Sequence, residues 1–538
     1  MFGAGGGTSS YREVEDTDVL LLWGSNARET HPIFFHHVLK GIGRGTRLYG
    51  IDPRATSSTA WADEHLPLAV GSDVALANGV AHAILAAGLE NRAFLARATT
   101  GFDAFRAHVL AEYPLDRVAA ITGVPADAIT RMAHAYARAD RAMICWTLGI
   151  TEHHNGVDNV LALINLALLT GHVGRWGSGL NPLRGQNNVQ GGGDMGALPH
   201  KLTGFQDVDD PIARGKFERA WGVTVPPVPG WHLTDMFHAM DRGELRALYV
   251  IGENPARSEA DGHRTARLLD SLEVLVVQDL FLTPTAELAD VVLPASASFA
   301  ESDGTVTNSE RRVQRVRRAV PPPRGARDDL EIIAALSKRL GRDLGDVSPE
   351  ALWDELRALS PMHAGMSYAR LDELGGIQWP CPEDGHPGSP FLHGRLWADP
   401  IEGPPAPLHV LHDAPPVEAT DAQYPLRLTT GRRLDSFNTG VQSGSYRSPL
   451  RRGESIDLSP ADAAHHGVAD GEVVAISSRR GTVRAPVRID PGLRPGLVFM
   501  TFHFPDEVDT NLLTIDATDP RSGTAEFKAA AVRIDRLA

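Results

Sequence analysis

The chain carries one supersecondary pattern twice, and this repetition constrains its fold more than any other feature. DVLLLWGSNARE (Asp18 to Glu29) and ALYVIGENPARSE (Ala247 to Glu259) are apolar runs that each end in a glycine with an asparagine two positions later. Each leads through a helix-length segment to a second apolar run that stops at an aspartate, in RLYGIDPR and LEVLVVQDLF, and a third short run follows, in LPLAVGSD and ADVVLPAS. Continuous apolar strands alternating with helices are typical of parallel βαβ units buried on both faces, so the repetition predicts two doubly wound α/β domains.

The remaining segments predict further units, because 538 residues are too many for one hydrophobic core. The basic run RRVQRVRR (Arg311 to Arg318) is expected to be a solvated strand face or a dock for an acidic partner. VPPPRGAR (Val320 to Arg327) breaks the chain before a helix that Asp328 could cap. From Tyr424, short alternating strands separated by turns predict a β-barrel. We therefore expect a first α/β domain over 1–184, a second over 185–320, a helical segment with a Pro/Gly-rich linker over 321–423, and the barrel over 424–538.

The ends of the parallel strands are where a ligand is expected. In open parallel sheets the binding crevice lies beyond the carboxyl ends of the strands, so two similar sets of strand ends imply two nucleotide-like groups. Asp73 could accept the paired N–H donors of a guanine edge, although an aspartate at such a position also serves as a turn or helix cap. GAGGG and GIGRG each precede a strand, so they lack the geometry of a nicotinamide dinucleotide fingerprint.

One segment combines an arginine with amides and glycines. NPLRGQNNVQGGGDMGALPH (181–200) has no apolar periodicity, which predicts a loop around Arg184. Glycines let a backbone approach a ligand closely, and the glutamine and asparagine side chains offer both donors and acceptors. A solvated surface loop and a ligand-binding loop both fit this composition.

Charge and cysteine content exclude several classes of function. A net charge of -15 and a pI near 5.8 argue against a nucleic-acid or anionic-membrane partner, so an anionic substrate would need a local arginine. No apolar run approaches the roughly 20 residues of a membrane span, and MFGAGGGTSS lacks the features of a secretory signal, so a cytoplasmic location is expected. Cys145 and Cys381 are too few for a disulfide framework or a four-thiolate cluster. The paired histidines are adjacent in sequence and do not share a face, so no metal site held by protein side chains is expected.

Four longer stretches resemble one family. They are RGQNNVQGGGDMGALP, GITEHHNGVDNVLALINLALLTG, VVQDLFLTPTAELADVVLPASASFAESDGTVTNSERRVQ and LTTGRRLDSFNTG. They resemble the molybdopterin oxidoreductases that carry two molybdopterin guanine dinucleotides, and RGQNNVQG resembles the formate dehydrogenase catalytic (alpha) subunits within that family. The resemblance covers essentially the whole chain. It implies a molybdenum or tungsten ion held by four dithiolene sulfurs, with two α/β halves and a terminal barrel around it.

The resemblance also implies roles for individual residues. For the first dinucleotide these are Gly24, Ser25, Asn26, Asp52, Arg54, Gly71 and Asp73. For the second they are Gly149, Gly185, Gln186, Gly252, Glu253, Asn254, Gln278 and Asp279. Barrel residues implied to close over the pterins are Arg432, Ser436, Asn438, Asn511 and Lys528. Arg184 matches the arginine that orients formate, and its planar fork suits a carboxylate.

The implied function is two-electron oxidation of formate to carbon dioxide, with electrons passed to iron–sulfur or flavin subunits. In the family an iron–sulfur domain, holding a 4Fe-4S cluster, and a cysteine or selenocysteine followed by histidine precede the loop that begins this chain. The resemblance therefore implies that the metal's protein ligand and the cluster lie outside it, and formate oxidation by this chain alone is not expected. Two alternatives remain: a non-catalytic protein that binds the guanine dinucleotide cofactor, and a related oxidoreductase acting on another small oxyanion such as nitrate.

Two positions depart from the family pattern. Gly193 stands where relatives often have cysteine, and Glu152 stands where many have glutamine. A carboxylate at position 152 would repel phosphates unless it is protonated or paired. Neither Cys145 nor Cys381 is expected to replace the missing metal ligand.

Overall fold

The computed structural model describes residues 5–298, 300–434, 436, 438, 439 and 453–537. Its first sheet has five parallel strands, in spatial order Glu64–Leu66, Arg47–Ile51, Val19–Trp23, Ala142–Trp146 and Gly179–Pro182. The strand order reverses on either side of Val19–Trp23, which is the topological switch point of a doubly wound sheet. Leu20 and Leu22 belong to one hydrophobic cluster and Leu21 and Trp23 to another, so both faces of the sheet are covered. The α-helices of this unit are Ala27–Thr30, Pro32–Gly43, Asp73–Ala86, Arg92–Ala98, Phe102–Glu112, Leu115–Thr122, Ala126–Arg138, Leu148–Thr151 and Gly156–Thr170.

The second sheet repeats the first three strands of the first. Its strands lie in the spatial order Val291–Pro294, Val274–Asp279 and Ala247–Ile251, all parallel. The amide of Gly24 donates to Ile51 O at 2.7 Å, and the amide of Gly252 donates to Gln278 O at 2.9 Å. The predicted repetition is thus present down to the turn after the first strand. The α-helices of this part are Val189–Asp194, Pro211–Trp221, Leu233–Asp241, Pro255–Ser258, Gly262–Asp270 and Pro284–Glu287.

A small antiparallel sheet and three helices follow. The strands are Gly304–Thr307, Arg312–Val316 and Ile377–Gln378, and the helices are Asp329–Arg339, Pro349–Leu359 and Tyr368–Leu374. The carboxylate of Asp328 accepts from Leu330 N at 2.9 Å, which confirms the predicted cap. The prediction of a solvated basic face was wrong for Arg311, which is fully buried. Its guanidinium donates to backbone carbonyls of Gly7, Ser389 and Pro390, which satisfy it without a surface position.

The carboxyl-terminal unit is a closed six-stranded barrel. Around the ring its strands are Leu426–Gly431, Leu497–Thr501, Ile456–Leu458, Thr482–Ile489, Val473–Ser477 and Ala530–Arg536, with one helix, Pro460–His466. The fold is therefore α/β with a terminal β-barrel, as predicted. Short elements complete the described chain: strands Thr99–Thr100, Ala406–Pro407, Lys201–Leu202 and Gln206–Asp207, and 3-10 helices Arg12–Asp16, Thr59–Trp61, Gly394–Trp397 and Thr510–Leu512. Among the residues described, none of the helices is long and apolar enough to cross a membrane.

A buried ionic centre holds the barrel together at Asp457. This carboxylate is fully buried, accepts from Arg433 Nη2 at 2.8 Å and from Ser455 Oγ at 2.9 Å, and also pairs with Arg488. Replacing Asp457 with alanine would take from the buried Arg433 the carboxylate it pairs with, so we expect the free energy of unfolding of the barrel to fall by about 3–5 kcal/mol. Urea titration followed by circular dichroism measures this.

The matched control for that experiment is Asp535→Ala. Asp535 lies on the last barrel strand and pairs with Arg533 at 2.9 Å, but its side chain is 53% exposed. An exposed pair contributes about 0–1 kcal/mol, so its loss should barely move the unfolding midpoint. Equal shifts in the two variants would contradict a stabilising role for the buried centre.

Candidate cofactor cleft and active site

The carboxyl ends of all five strands of the first sheet open into one cavity, and the barrel forms its far wall. This is where a doubly wound sheet binds its ligand. The predicted site residues that line it are Gly24, Asn26, Asp52, Arg54, Gly71, Asp73, Gly149, Arg184, Gly185, Gln186, Arg432 and Lys528. The structure therefore brings together residues from strand ends, the arginine segment and the barrel that are distant in sequence.

Two glycines meet at the switch point of the first sheet. Gly24 has φ +56°, and the amide of Gly149 donates to Gly24 O at 3.2 Å. A Cβ at Gly149 would lie 2.4 Å from that oxygen and 2.6 Å from the Gly24 Cα. Thr147 Oγ1 donates to the same oxygen at 2.8 Å. The turns after the first and fourth strands can therefore touch only because both positions lack a side chain.

Two aspartates and one arginine stand at the ends of the neighbouring strands. Burial raises the pKa of Asp52 and of Asp73. Asp73 accepts the indole N–H of Trp23 at 2.8 Å, which fixes its carboxylate at the cavity wall. The guanidinium of Arg54 lies 3.6 Å from the ring centre of Phe499, a barrel residue. A cation–π contact of this kind ties the sheet edge to the barrel.

The barrel wall contributes two cations. Lys528 Nζ donates to Thr430 O at 2.9 Å and lies 2.8 Å from the Glu152 carboxylate. Burial lowers the pKa of Lys528, an effect that Glu152 opposes. Arg432 Nη2 donates to Asn438 Oδ1 at 3.1 Å. Glu152 stands where many members of the resembling family have glutamine. Its carboxylate is neutralised by a buried lysine.

Arg184 is held on both its backbone and its side chain. Its amide donates to Ser309 Oγ at 2.7 Å, and its carbonyl lies 2.8 Å from His31 Nε2. Its guanidinium donates to Gly5 O through Nη2 at 3.1 Å and to Gln190 Oε1 through Nε at 3.3 Å. These contacts use the Nε–Nη2 edge of the guanidinium, and the edge formed by Nη1 and Nη2 has no partner among the described residues.

A buried carboxylate, that of Asp194, supports the glutamine that contacts Arg184. Asp194 accepts from Gln190 Nε2 at 2.8 Å and from Trp379 Nε1 at 2.7 Å. Burial raises the pKa of Asp194 to about 6, and these two donors and the Arg184 charge oppose the rise. The chain Trp379–Asp194–Gln190 therefore fixes the acceptor that orients the arginine.

The predicted loop around Arg184 is partly helical. Residues Val189–Asp194 form a short helix, with Gly192 N bonding to Asn188 O at 2.8 Å and Met195 N to Gly191 O at 2.9 Å. Asn188 begins it with φ 65° and accepts from Thr307 N at 2.9 Å. Contacts with residues far along the chain override the low helix propensity of three consecutive glycines.

Comparison with known families decides the relationship. Residues 4–339 match the family described as "Molybdopterin oxidoreductase", and residues 426–531 match the "Molydopterin dinucleotide binding domain". The chain belongs to the molybdopterin oxidoreductase family. The family resemblance predicted from the sequence motifs is confirmed, and with it a molybdopterin cofactor and an oxidoreductase class.

Individual relatives of this molybdopterin oxidoreductase include formate and nitrate enzymes. The F420-dependent formate dehydrogenase 2 subunit alpha of Methanococcus maripaludis is 40% identical, over 100% of this chain and 79% of its own length. The assimilatory nitrate reductase catalytic subunit of Bacillus subtilis is 34% identical, over 99% of this chain and 76% of its own length. Among solved structures, acetylene hydratase from Pelobacter acetylenicus matches with a TM-score of 0.72 at 20% identity, covering 99% of this chain and 79% of that one. That structural likeness shows the shared fold.

The cavity fits the family's dinucleotide cofactor. Four cationic side chains, Arg54, Arg184, Arg432 and Lys528, line it in a chain whose net charge is -15, which suits an anionic ligand such as a phosphate group. Arg432 lines the cavity, and its Nη1 is buried with no hydrogen-bond partner among the described residues. A phosphate oxygen of the cofactor would satisfy this donor.

Side chains that could bind a metal ion are not clustered in the described parts of the chain. No group of three or more His, Cys, Asp or Glu side chains that could hold a metal ion is found in the described parts of the chain. Both cysteines are buried free thiols, and neither is among the described residues that line the cavity. A metal in this cavity would depend on ligands other than clustered side chains of these residues.

Several predicted residues lie away from the cavity. Among the described lining residues we do not find Ser25, Gly252, Glu253, Asn254, Gln278, Asp279, Ser436, Asn438 or Asn511. Asn438 nevertheless contacts Arg432, and Asn511 Nδ2 donates to Arg257 O at 2.9 Å, which joins the barrel to the second α/β unit. Gly149, Gly185 and Gln186, predicted for the second dinucleotide, share the cavity with the residues predicted for the first.

Sequence reasoning missed the residues that support Arg184. His31, Ser309, Asp194 and Trp379 were not singled out, although Asp194 lies inside the quoted segment. The sequence signal that could have identified Asp194 is a single carboxylate next to a run of glycines. We find no sequence signal for Trp379, which reaches the site from a different part of the chain.

Proposed function

We propose that this molybdopterin oxidoreductase is the catalytic component of a formate dehydrogenase. The reaction converts HCOO⁻ into CO₂, one proton and two electrons, with the formate C–H bond broken. The observation that carries the proposal is the placement of the Arg184 guanidinium at the cavity, braced by Gly5 and Gln190. The RGQNNVQG segment and the formate dehydrogenase relative at 40% identity support the choice of substrate.

Arg184 would bind the substrate carboxylate. A guanidinium presents paired N–H donors in a plane that matches two carboxylate oxygens, which positions the C–H group as well as the charge. A local cation is required because the chain's net charge of -15 repels anions at a distance. Leu68, Trp146 and Leu183 also line the cavity, and their apolar surface limits water around the bound anion.

Residues of the strand ends and the barrel would hold the cofactor. We propose two molybdopterin guanine dinucleotides with molybdenum or tungsten, the metal supplying a two-electron acceptor when bound. Asn26, Asp52, Asp73 and the cations of the barrel wall would contact the first dinucleotide, and the turn at Gly252 and Asn254 would contact the second. The unpartnered buried donor of Arg432 supports a phosphate contact.

The two electrons and the proton released from formate must leave the active site. We propose iron–sulfur or flavin subunits as electron acceptors, since the relative at 40% identity is itself a subunit alpha. Gly185 and Gln186 are exposed at the cavity rim, which lets the proton reach solvent. A cytoplasmic location is supported by two free buried thiols, as is usual in a reducing compartment.

A substrate comparison tests the proposal. The protein purified anaerobically from its own cells, with its bound subunits, should reduce a viologen dye with formate and should not oxidise reduced dye with nitrate. The 538-residue chain alone should show no formate oxidation, because neither of its thiols is among the described residues facing the cavity. Nitrate turnover without formate turnover would replace the proposed substrate. Cofactor without either activity would favour a non-catalytic binding protein.

Asp194 offers a test of how Arg184 is positioned. Asparagine has one side-chain oxygen, so Asp194→Asn would turn an N–H group toward either Gln190 or Trp379 and leave one donor unsatisfied. An unsatisfied buried donor costs about 1–3 kcal/mol of free energy. We therefore expect the KM for formate to rise roughly tenfold, with a smaller change in kcat.

Steady-state kinetics of the assembled enzyme measure the split between KM and kcat. Asp209→Asn is the control, because Asp209 is an exposed carboxylate in the following segment. A thermal melt of each variant separates loss of folding from loss of positioning. An unchanged KM in folded Asp194→Asn would contradict the role given to Asp194.

A further inference from the structure

His153 is a buried histidine in the wall of the cofactor cavity, and one of its ring nitrogens is unpaired. The residue lines the cavity and is 2% exposed. Nε2 lies 3.1 Å from Gly149 O, and a carbonyl oxygen can only accept, so Nε2 carries a hydrogen. Nδ1 is buried with no hydrogen-bond partner among the described residues, and it lies 3.7 Å from Oε1 of Glu526. The protonation of Nδ1 therefore depends on this carboxylate.

Glu526 is a fully buried carboxylate that precedes the last barrel strand. Its Oε1 accepts from His154 Nδ1 at 2.8 Å, and its Oε2 accepts from the amide of Val417 at 3.2 Å. Burial alone would raise the pKa of Glu526, but the two adjacent histidines outweigh burial and hold this pKa below its ordinary value. Glu526 therefore carries a negative charge. Both histidines can reach it because they lie between the helices Leu148–Thr151 and Gly156–Thr170 and not within a helix.

The charge of Glu526 favours a second proton on His153. In a neutral ring with its hydrogen on Nε2, the lone pair of Nδ1 would face the buried carboxylate, and two acceptors repel each other. A proton on Nδ1 replaces this repulsion with an ion pair and gives each ring nitrogen an acceptor. His172 is equally buried, with Nε2 2.9 Å from Tyr136 O and an unpaired Nδ1, but it has no ion-pair partner among the described residues. Burial lowers the pKa of His172 to about 4, so that ring stays neutral.

Asp73 is the carboxylate on which a charged His153 acts. Both residues line the cavity. Burial raises the pKa of Asp73, and His153 is the strongest influence that opposes this rise. An ionised carboxylate only accepts hydrogen bonds, whereas a protonated one carries a hydrogen at a position where a second donor would point. The paired N–H donors of a guanine edge therefore suit the ionised form of Asp73.

We propose that His153 and Glu526 are positioning residues that set the preference of the first dinucleotide site for guanine. Glu526 holds a proton on His153, and the resulting cation keeps Asp73 ionised, so that its carboxylate accepts the N1–H and 2-amino hydrogens of the base. The two residues act on the base only through Asp73. This proposal rests on the proposed function, from which it takes the contact between Asp73 and the first dinucleotide.

Other charged or titratable groups at this part of the cavity wall do not replace His153. They are Asp52 from the first sheet, Glu152 and His154 from the segment of His153, and Lys528 from the barrel. Asp52 raises the pKa of Asp73 and so acts in the opposite direction. The ammonium of Lys528 lies 2.8 Å from the Glu152 carboxylate, which neutralises it. Among these groups, the cation that acts most strongly on Asp73 is His153.

The pH dependence of guanosine monophosphate (GMP) binding tests this inference. The protein is purified with its bound subunits from its own cells, in which pterin synthesis has been blocked, and is titrated with GMP by calorimetry between about pH 5 and pH 8. The affinity for GMP should fall on acidification as Asp73 takes up a proton. In His153→Gln the midpoint of this fall should lie about one pH unit or more higher, because glutamine keeps a donor for Gly149 O but carries no charge. Glu526→Gln should shift the midpoint in the same direction, since a neutral amide does not hold the proton on His153.

Two controls accompany these variants. His172→Gln removes an equally buried histidine that is not among the described residues lining the cavity, so its midpoint should match that of the unsubstituted protein. Inosine monophosphate lacks the 2-amino group, so it should bind to the unsubstituted protein roughly tenfold more weakly than GMP at the alkaline end of the range. A thermal melt of each variant identifies any that unfold.

The outcomes separate this inference from the proposed function. An unshifted midpoint in folded His153→Gln or Glu526→Gln, an equal shift in His172→Gln, or equal affinities for the two nucleotides would overturn the inference and leave the cofactor assignment standing. Failure of the unsubstituted protein to bind GMP at any pH would overturn the proposed guanine dinucleotide site, and this inference with it.

Discussion

Arg184→Lys should lower kcat/KM for formate roughly 10- to 100-fold, through a higher KM and a slower turnover. A charge-assisted hydrogen bond contributes about 1.5–3 kcal/mol, and an ammonium cannot reproduce the second parallel contact of the guanidinium fork. Gln190 and Gly5 brace the guanidinium through Nε and Nη2, and lysine has neither group in those positions. Initial rates of formate-dependent dye reduction by the assembled enzyme give both parameters.

Two comparisons make that result specific. Arg339→Lys changes an exposed arginine at the end of a surface helix and should leave the kinetics unchanged. The GMP and metal content of Arg184→Lys should match that of the unsubstituted protein, because the arginine is assigned to substrate and not to cofactor. Unaltered formate kinetics in Arg184→Lys would remove the arginine from the substrate site.

Gly149→Ala should abolish cofactor retention. The new Cβ would lie 2.4 Å from Gly24 O, 2.6 Å from its Cα and 2.8 Å from its carbonyl carbon, so the clash is with backbone and cannot be relieved by a rotamer change. Overpacking of this kind costs about 1–3 kcal/mol. The larger effect is functional, because separating the two turns reshapes the switch point where the first dinucleotide is proposed to bind.

The matched control is Gly43→Ala. Gly43 is the last residue of a surface helix, and a Cβ there would meet no described atom within 4 Å. Acid-released GMP and a thermal melt on both variants separate cofactor loss from unfolding. A Gly149→Ala protein that melts and binds cofactor normally would show that the contact of the two turns does not shape the site.

Much of the fold could be predicted because its strands are short, apolar and repeated. The strand ends at Asn26 and Asn254 follow from the sequence pattern, and the cap at Asp328 follows from residue type. The sequence pattern does not specify how many strands each sheet has, so the position of strand Ala247–Ile251 at the edge of its sheet is visible only in the structure. Hydrophobic runs specify which segments become strands, while pairing partners depend on tertiary contacts.

The site could be predicted in part for the same reason. Parallel strands end at one sheet edge, so their terminal residues were expected to lie close together, and Gly24 and Asp52 both line the cavity. Gly149, predicted for the second dinucleotide, lies beside them because the fourth strand joins the same sheet. The support of Arg184 depends on Trp379, whose indole reaches Asp194 across 185 positions of sequence. The Glu152–Lys528 pair joins sheet and barrel in the same way. Contacts between positions so far apart leave no recognisable pattern in the local sequence.

The cofactor content of the purified protein is the decisive measurement. We claim that the cleft between the first sheet and the barrel, which Arg184 lines, holds a molybdopterin guanine dinucleotide. Protein isolated anaerobically from its own cells should release two equivalents of GMP per chain on acid treatment, together with the fluorescence of oxidised pterin. Release of neither, or release unchanged by Gly149→Ala, would contradict the claim.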